Sequence, residues 1–394
     1  MDRQRIVITG IGVVAPNGIG KEEFWKNCRA GVSGIKPITL FDVSKYRCRY
    51  AGEISNFQPE TYLGSKGLRN LDRTTLLALV AAKLAIEDSG LSITDDNRND
   101  IGVVLGSTMG SVHSISEFDK EGLREGPRYV NPAHFPNTVI NSPASQVAIR
   151  FGLKGLNTTI STGFTASLDA MGYAMDMLEL GRANILLVGG VEELCIQTYL
   201  GFHKLGLLTA ARNGLPPKLN SSSGTVIGEG SAFFMLETEN SAKSRKALRR
   251  ANVLGYGTSF ATNKAHRFQP QPHSFVEAIQ EAFNQAGLEA KDITEIQRCS
   301  NGVRIFDENE DIVLNQVFDR LKPGEAKGTQ FWGETFSADG ALRIALALDQ
   351  QSNTSRHVLV GGLSPMGVSS ALVLGQASKK PQAKEAKVGG YGTL

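Results

Sequence analysis

The clearest patterning in the chain is the run NTTISTGFTASLDAMGYAMDMLELGRANILLVGG, residues 157–190. Residues 157–161 are a β-branched stretch of strand character, and Gly163 gives the backbone freedom for a tight turn. From Ser167 the apolar positions Ala170, Met171, Ala174, Met177 and Leu178 recur at helical spacing until Gly181 ends the helix. Residues 185–188 return to an apolar strand that runs into Gly189-Gly190. The pattern predicts strand, sharp turn, helix, strand.

The same alternation runs along the rest of the chain. Residues 5–12 read as an apolar strand, Pro16-Asn17-Gly18 as a turn, and the stretch around Phe24 and Trp25 as an amphipathic helix. Residues 34–67 are irregular, 70–90 form a helix apolar over a wide face, and 101–105 form an unbroken apolar strand. Residues 132–151 read as a loop followed by a helix, 231–237 as a strand and 241–250 as a basic helix. From residue 251 the pattern restarts, with strands at 253–256, 293–299, 357–362 and 371–375, and helices at 274–287, 307–321 and 341–348. Strand–helix alternation in two halves indicates an α/β fold with internal duplication, residues 1–250 and 251–377. Residues 378–394 are polar and glycine-rich, as in a flexible tail.

Composition narrows the class. With 394 residues, 41% of them hydrophobic, the chain can bury a large core, and a net charge of +3 gives no ground for a nucleic-acid partner. No run of about 18 apolar residues is present for a membrane span, and the N-terminus enters a strand directly, so a cytoplasmic protein is expected. Cys28, Cys48, Cys195 and Cys299 lack metal-ligand spacing and read as buried thiols, and no metal or cofactor is expected.

A strand that breaks into a helix N-terminus favours negative charge at the turn, which is where a nucleophile is well placed. The residue at this turn is Phe164, which carries no nucleophilic group.

Ser161-Thr162-Gly163-Phe164-Thr165-Ala166-Ser167 resembles the active-site segment of the β-ketoacyl-ACP synthases, Ser-Thr-Ala-Cys-Ala/Ser-Thr/Ser-Gly, with Phe164 at the acyl-accepting cysteine. The opening block RIVITGIGVVAPNGIGKEEFWKNCRAGVSGI resembles the start of the same enzymes, and PPKLNSSSGTVIGEG, residues 216–230, a polar active-site loop with a glycine-rich turn. The resemblance spans roughly residues 1–377 and implies a thiolase-like fold, five α-β-α-β-α layers in two similar halves. It also implies two imidazoles, one in Asn-Ala-His-Gly-Thr and one in Lys-Ser-Met-Thr-Gly-His. Asn301 stands at the first histidine, Glu334 at the second, and Thr329 at the lysine. The Gly-Phe-Gly-Gly-Thr-Asn loop becomes Ser364 to Ser369, with Pro365 at the gating phenylalanine.

With thiol, imidazoles and lysine all absent, the resemblance implies no catalytic residue in this chain. It points to the chain length factors, inactive relatives that pair with an active synthase as a heterodimer and shape the tunnel for the growing chain. Many of those carry glutamine at the position of Phe164. Met109, Ala133, His134 and Phe135 align with tunnel or interface positions, and Thr138 to Ala148 with the dimer-contact helix. Lys243, Arg245, Lys246, Arg249 and Arg250 are candidates for docking an acidic acyl carrier protein, against the plainer reading of a solvated helix face. Two alternatives stand beside this: an enzyme with relocated chemistry at Cys299 or a Glu334–Asn301 pair, and a homodimeric acyl-binding scaffold. Burial of Glu334 without a cationic partner would raise its pKa.

Overall fold

In the computed structural model, which describes residues 4–209, 224–262, 270–349 and 356–376, the first half opens with β1 (Ile6–Ala15), which forms a short hairpin with β2 (Gly18–Ile19). There follow α1 (Lys21–Arg29), the small pair β3 (Ile35–Pro37) and β4 (Tyr50–Gly52), α2 (Glu60–Leu63) and α3 (Arg73–Ser89). Next come β5 (Ile101–Gly106), α4 (Val112–Glu125), a 3-10 helix Pro132–Thr138, α5 (Ser142–Phe151) and β6 (Asn157–Ile160). A single 3-10 turn, Gly163–Thr165, leads into α6 (Ala166–Glu179), β7 (Ile185–Glu192), α7 (Ile196–Lys204), β8 (Gly230–Thr238) and α8 (Glu239–Ser244). The second half holds β9 (Ala251–Phe260), α9 (Pro272–Ala286), β10 (Glu295–Arg298), α10 (Arg304–Phe318), β11 (Gly324–Lys327), α11 (Thr329–Trp332), α12 (Ser337–Ala347), β12 (Arg356–Leu363) and β13 (Val368–Gln376).

The strands join in the order β11-β10-β12-β13-β9-β1-β8-β7-β5-β6. Numbering β1, β5, β6, β7, β8 and separately β9, β10, β11, β12, β13 as 1 to 5, each half runs 1-5-4-2-3 outward from the centre. The strand directions match too: in each half the 1–5 and 5–4 pairs are antiparallel, and the 4–2 and 2–3 pairs parallel. The duplication is thus written in the topology. The halves meet where Ile6 to Ile8 pair with Ala251 to Val253.

Helix packing gives five layers: α3 outside the first half-sheet, α6 against α12 between the two, and α9 outside the second. Equivalent glycines set both outer layers. A Cβ at Gly10 or Gly12 would collide with the α3 carbonyls of Ala85 and Ala81, and one at Gly255 or Gly257 with those of Ala282 and Ala278 in α9. Asp72 caps α3, its Oδ1 accepting from the Thr75 N–H at 2.7 Å, and Gly90 ends it in the left-handed region.

The structure corrects one element. Residues 241–250 are not one basic helix: α8 ends at Ser244, and Lys246 takes a φ of 55°. The cause is internal pairing. Arg245 Nε donates to the fully buried Glu237 at 2.9 Å while its Nη1 reaches the Ser89 carbonyl at 2.9 Å, and Arg250 pairs with Asp88. The polar loop expected at 216–230 lies outside the described residues up to 223, as does the tail from 377 on.

Candidate functional site

β6 delivers the chain to the centre of the molecule, and Gly163, at φ 85°, turns it into α6. A side chain on Gly163 would strike Ser364 Oγ, so both its φ and its surroundings select glycine. The turn projects Phe164 inward, 9% exposed, into a cluster of rings. Phe336 meets it edge-on with centroids 5.3 Å apart, while Phe306 and Phe202 stack on it at 6.1 and 6.5 Å. The cavity left among Phe164, Cys299, Asn301, Phe306, Glu334 and Leu363 is about 10 Å³, no more than one water's worth of space. The phenyl ring and its neighbours leave the space in front of the turn filled.

The other two positions converge on the same point from the second half. Asn301 follows β10 and Glu334 follows α11, and both are buried. Asn301 Nδ2 donates to Glu334 Oε2 at 2.6 Å, and the Phe336 N–H donates to Glu334 Oε1 at 2.6 Å. Asn301 Oδ1 accepts from the Val303 N–H, and Asp307 accepts from the Asn301 and Gly302 N–H groups. Burial pushes Glu334 up to about 8, the Asp339 carboxylate adds to the rise, and its hydrogen bonds oppose it. The nearby cation, Arg343, is taken by Asp339 at 2.7 Å. Thr329 Oγ1 donates to the Ser300 carbonyl at 2.8 Å. These residues tie two loops together.

Cys299 lines the small cavity, but burial raises its thiol well above the ordinary range, so the thiolate needed for nucleophilic attack is suppressed. All four cysteines are free and buried. Among the described residues no group of three or more His, Cys, Asp or Glu is arranged to hold a metal ion, and no helix is long and apolar enough to cross a membrane.

The remaining candidates lie elsewhere. Met109 is half-buried, its N–H donating to Glu192 Oε1 at 3.0 Å. Ala133, His134 and Phe135 are exposed on the 3-10 helix and do not reach the Phe164 pocket within this chain. Pro365 is buried in the tight β12–β13 hairpin, closed by the Ser364 N–H to the Val368 carbonyl at 2.8 Å. Lys243, Lys246 and Arg249 are exposed, whereas Arg245 and Arg250 turn inward.

Sequence reasoning missed the residues that brace the turn. Glu192, 1% exposed at the end of β7, accepts from the N–H groups of Thr108 and Met109 and from Ser337 Oγ at 2.6 Å. Thr108 Oγ1 donates to the Gly163 carbonyl at 3.1 Å, fixing the turn itself. The available signal was an acid closing an unbroken apolar strand, since a buried carboxylate needs several donors. Phe336 was missed as well. It starts α12 at φ 52°, a conformation costing roughly 1–3 kcal/mol without glycine, and is fully buried among the rings.

Fold and site define a thiolase-like α/β chain whose central strand-to-helix turn presents a phenylalanine. Residues 3–242 match the family model for the β-ketoacyl synthase N-terminal domain and residues 250–348 that for its C-terminal domain. The chain belongs to the β-ketoacyl synthase family. It is 30% identical over 355 residues to 3-oxoacyl-(acyl-carrier-protein) synthase 2 of Coxiella burnetii, covering 88% of this chain and 86% of that protein. It is 35% identical over 266 residues to the Vibrio cholerae protein of the same name, covering 66% and 64%. Among solved structures, the ishigamide ketosynthase/chain length factor superposes with a TM-score of 0.85 at 27% identity, over 95% of this chain and 100% of that one. AntDE:AntF, a type II PKS acyl-carrier protein in complex with its ketosynthase, superposes with a TM-score of 0.85 at 22% identity over 95% and 100%, a likeness of fold.

Proposed function

We propose that this chain is a non-catalytic, chain length factor-type subunit that completes a heterodimer with an active β-ketoacyl-ACP synthase in type II polyketide, polyene or fatty acid-like biosynthesis. The carrying observation is the Phe164 ring packed among Phe202, Phe306 and Phe336, where a synthase needs a thiol, above an Asn301–Glu334 hydrogen bond in place of two imidazoles. Removing one member of a catalytic set costs powers of ten in rate, and every member is replaced. The core strands and layers stay intact, as a structural partner requires. The likeness to a ketosynthase/chain length factor supports the role.

Exposed apolar residues near a sheet edge support the pairing. β6 is an edge strand of the sheet, and Val139, Ile140 and Ile149 are exposed in and before the α5 that follows the 3-10 helix. Carrier-protein contact would fall to Lys243, Lys246 and Arg249.

Co-expression with a cysteine-bearing paralogue from the same genome tests the reading. The expected result is a 1:1 complex that condenses malonyl and acyl units, whereas this chain alone gives neither CO2 from malonyl-carrier protein nor an acyl adduct by intact mass. An adduct on the isolated chain overturns the proposal, wherever it maps. A stable homodimer that ignores every synthase assigns a scaffold role instead.

A further inference from the structure

Outside the filled site a cavity of about 420 Å³ lies between α4, the 3-10 helix Pro132–Thr138 and the turn before α3. Its walls mix rings with acids. Phe118 stands against Phe135 with centroids 6.0 Å apart, His113 and His134 line the sides, and Asp72, Glu117 and Glu121 share the wall with Arg69. One oxygen of Asp72 caps α3, while its Oδ2 is shut off from solvent with no hydrogen-bond partner among the described residues. Glu117 pairs with Lys120 at 3.0 Å, with both side chains about half exposed, a contact worth little in water. Glu121 accepts from the Asn131 N–H at 3.3 Å. Phe118 lines the cavity and Phe135, packed on it, is 58% exposed, so an aromatic pair stands beside a polar floor.

We infer that this cavity receives a lysine or arginine side chain from the partner synthase, and that its acidic floor biases the chain toward that partner and away from a second copy of itself. The inference rests on the heterodimer reading above. Charge complementarity selects the occupant: the three carboxylates of Asp72, Glu117 and Glu121 outnumber the two cations beside them, Arg69 and Lys120, and the Phe118–Phe135 pair suits the methylene stem of a long basic side chain. A self-pair across the same face would bring two such acidic floors together, and like charges brought together count against the wrong partner.

The test measures the affinity of the full chain for the co-purifying synthase paralogue in 50 mM and 500 mM NaCl. Wild type is compared with Glu117→Lys, Glu117→Lys/Glu121→Lys, and Asp119→Lys as a same-helix charge change outside the cavity. The expected result is 10-fold or greater weakening for the single variant, more for the double, less than 3-fold for Asp119→Lys, and wild-type affinity that falls with salt. Glu117 is exposed, so the single variant reports binding even if the double fails to fold. A double variant that binds like wild type, or an Asp119→Lys chain weakened as much, overturns the inference while the heterodimer stands. Wild type that binds no paralogue, or that homodimerises at least as tightly, overturns both.

Discussion

Replacing Phe164 by alanine probes the ring as a filler of the site. The side chain is 9% exposed and touches three other rings, and only about 10 Å³ of empty space adjoins it. There is little slack for the walls to collapse. A vacated phenyl group leaves a void on the order of 100 Å³, which at ~24 cal/mol per Å³ costs about 2.4 kcal/mol beyond the lost transfer energy, within the ~3–5 kcal/mol usual for Phe→Ala in a core. Lost edge and stacking contacts place this site toward the upper end of that range. We expect the urea midpoint at pH 7 to fall accordingly with an unchanged m-value. The void would be walled by Phe202, Phe306, Phe336 and Leu363, with Cys299, Asn301 and Glu334 along one side, so benzene should restore part of the loss in Phe164→Ala and do nothing for wild type. A loss below about 1 kcal/mol, or no response to benzene, would refute the idea that the ring occupies a formed pocket.

Three further outcomes are expected. Burial pushes Glu193 up to about 8 from 4.5, so it stays protonated in the fold while the unfolded chain ionises from about pH 4.5. Stability is therefore full below that pH and falls as pH rises toward 8, by on the order of 3 kcal/mol at pH 7 for this group. Glu193→Gln, whose amide oxygen can still accept from the His113 N–H, should flatten a plot of urea midpoint against pH between 5 and 8, and an unchanged slope would contradict the assignment. Arg343→Leu should cost ~3–5 kcal/mol in the same assay, because it strands the buried carboxylate of Asp339; a cost below 1 kcal/mol would show that pair to be dispensable. Gly257→Ala should lower the thermal midpoint sharply or give insoluble protein, since its Cβ would overlap the Ala278 carbonyl of α9; wild-type melting would mean that the layer yields.

Much of this was legible in the chain. The apolar strand β1, the amphipathic α3 and the turn at Gly163 each carry strong local signals, and their observed bounds lie within a few residues of the expected ones. The two halves even share words: Val188-Gly189-Gly190 and Val360-Gly361-Gly362 occupy equivalent strands. Other elements gave no such signal. β11 is four residues, GEAK, at the sheet edge, with no alternation to read. α4 buries none of its residues fully, and α7 contains Gly201. The segment 241–250 misled because charge alone cannot distinguish a solvated lysine from an arginine claimed by a buried acid 8 residues back, as Glu237 claims Arg245. At the site Phe164, Asn301 and Glu334 could be named only through the resemblance to the synthase motifs, whereas the bracing by Glu192 and Thr108 arises from strands distant in sequence.

The seam between the halves is narrow, the three-residue pairing of β1 with β9, yet α6 and α12 lie against each other across the whole interior. The ancestral doubling is therefore no longer divisible. A gene cut near residue 250 would encode two fragments, each with a raw sheet edge and a bare greasy helix, so neither half could keep its core dry without the other.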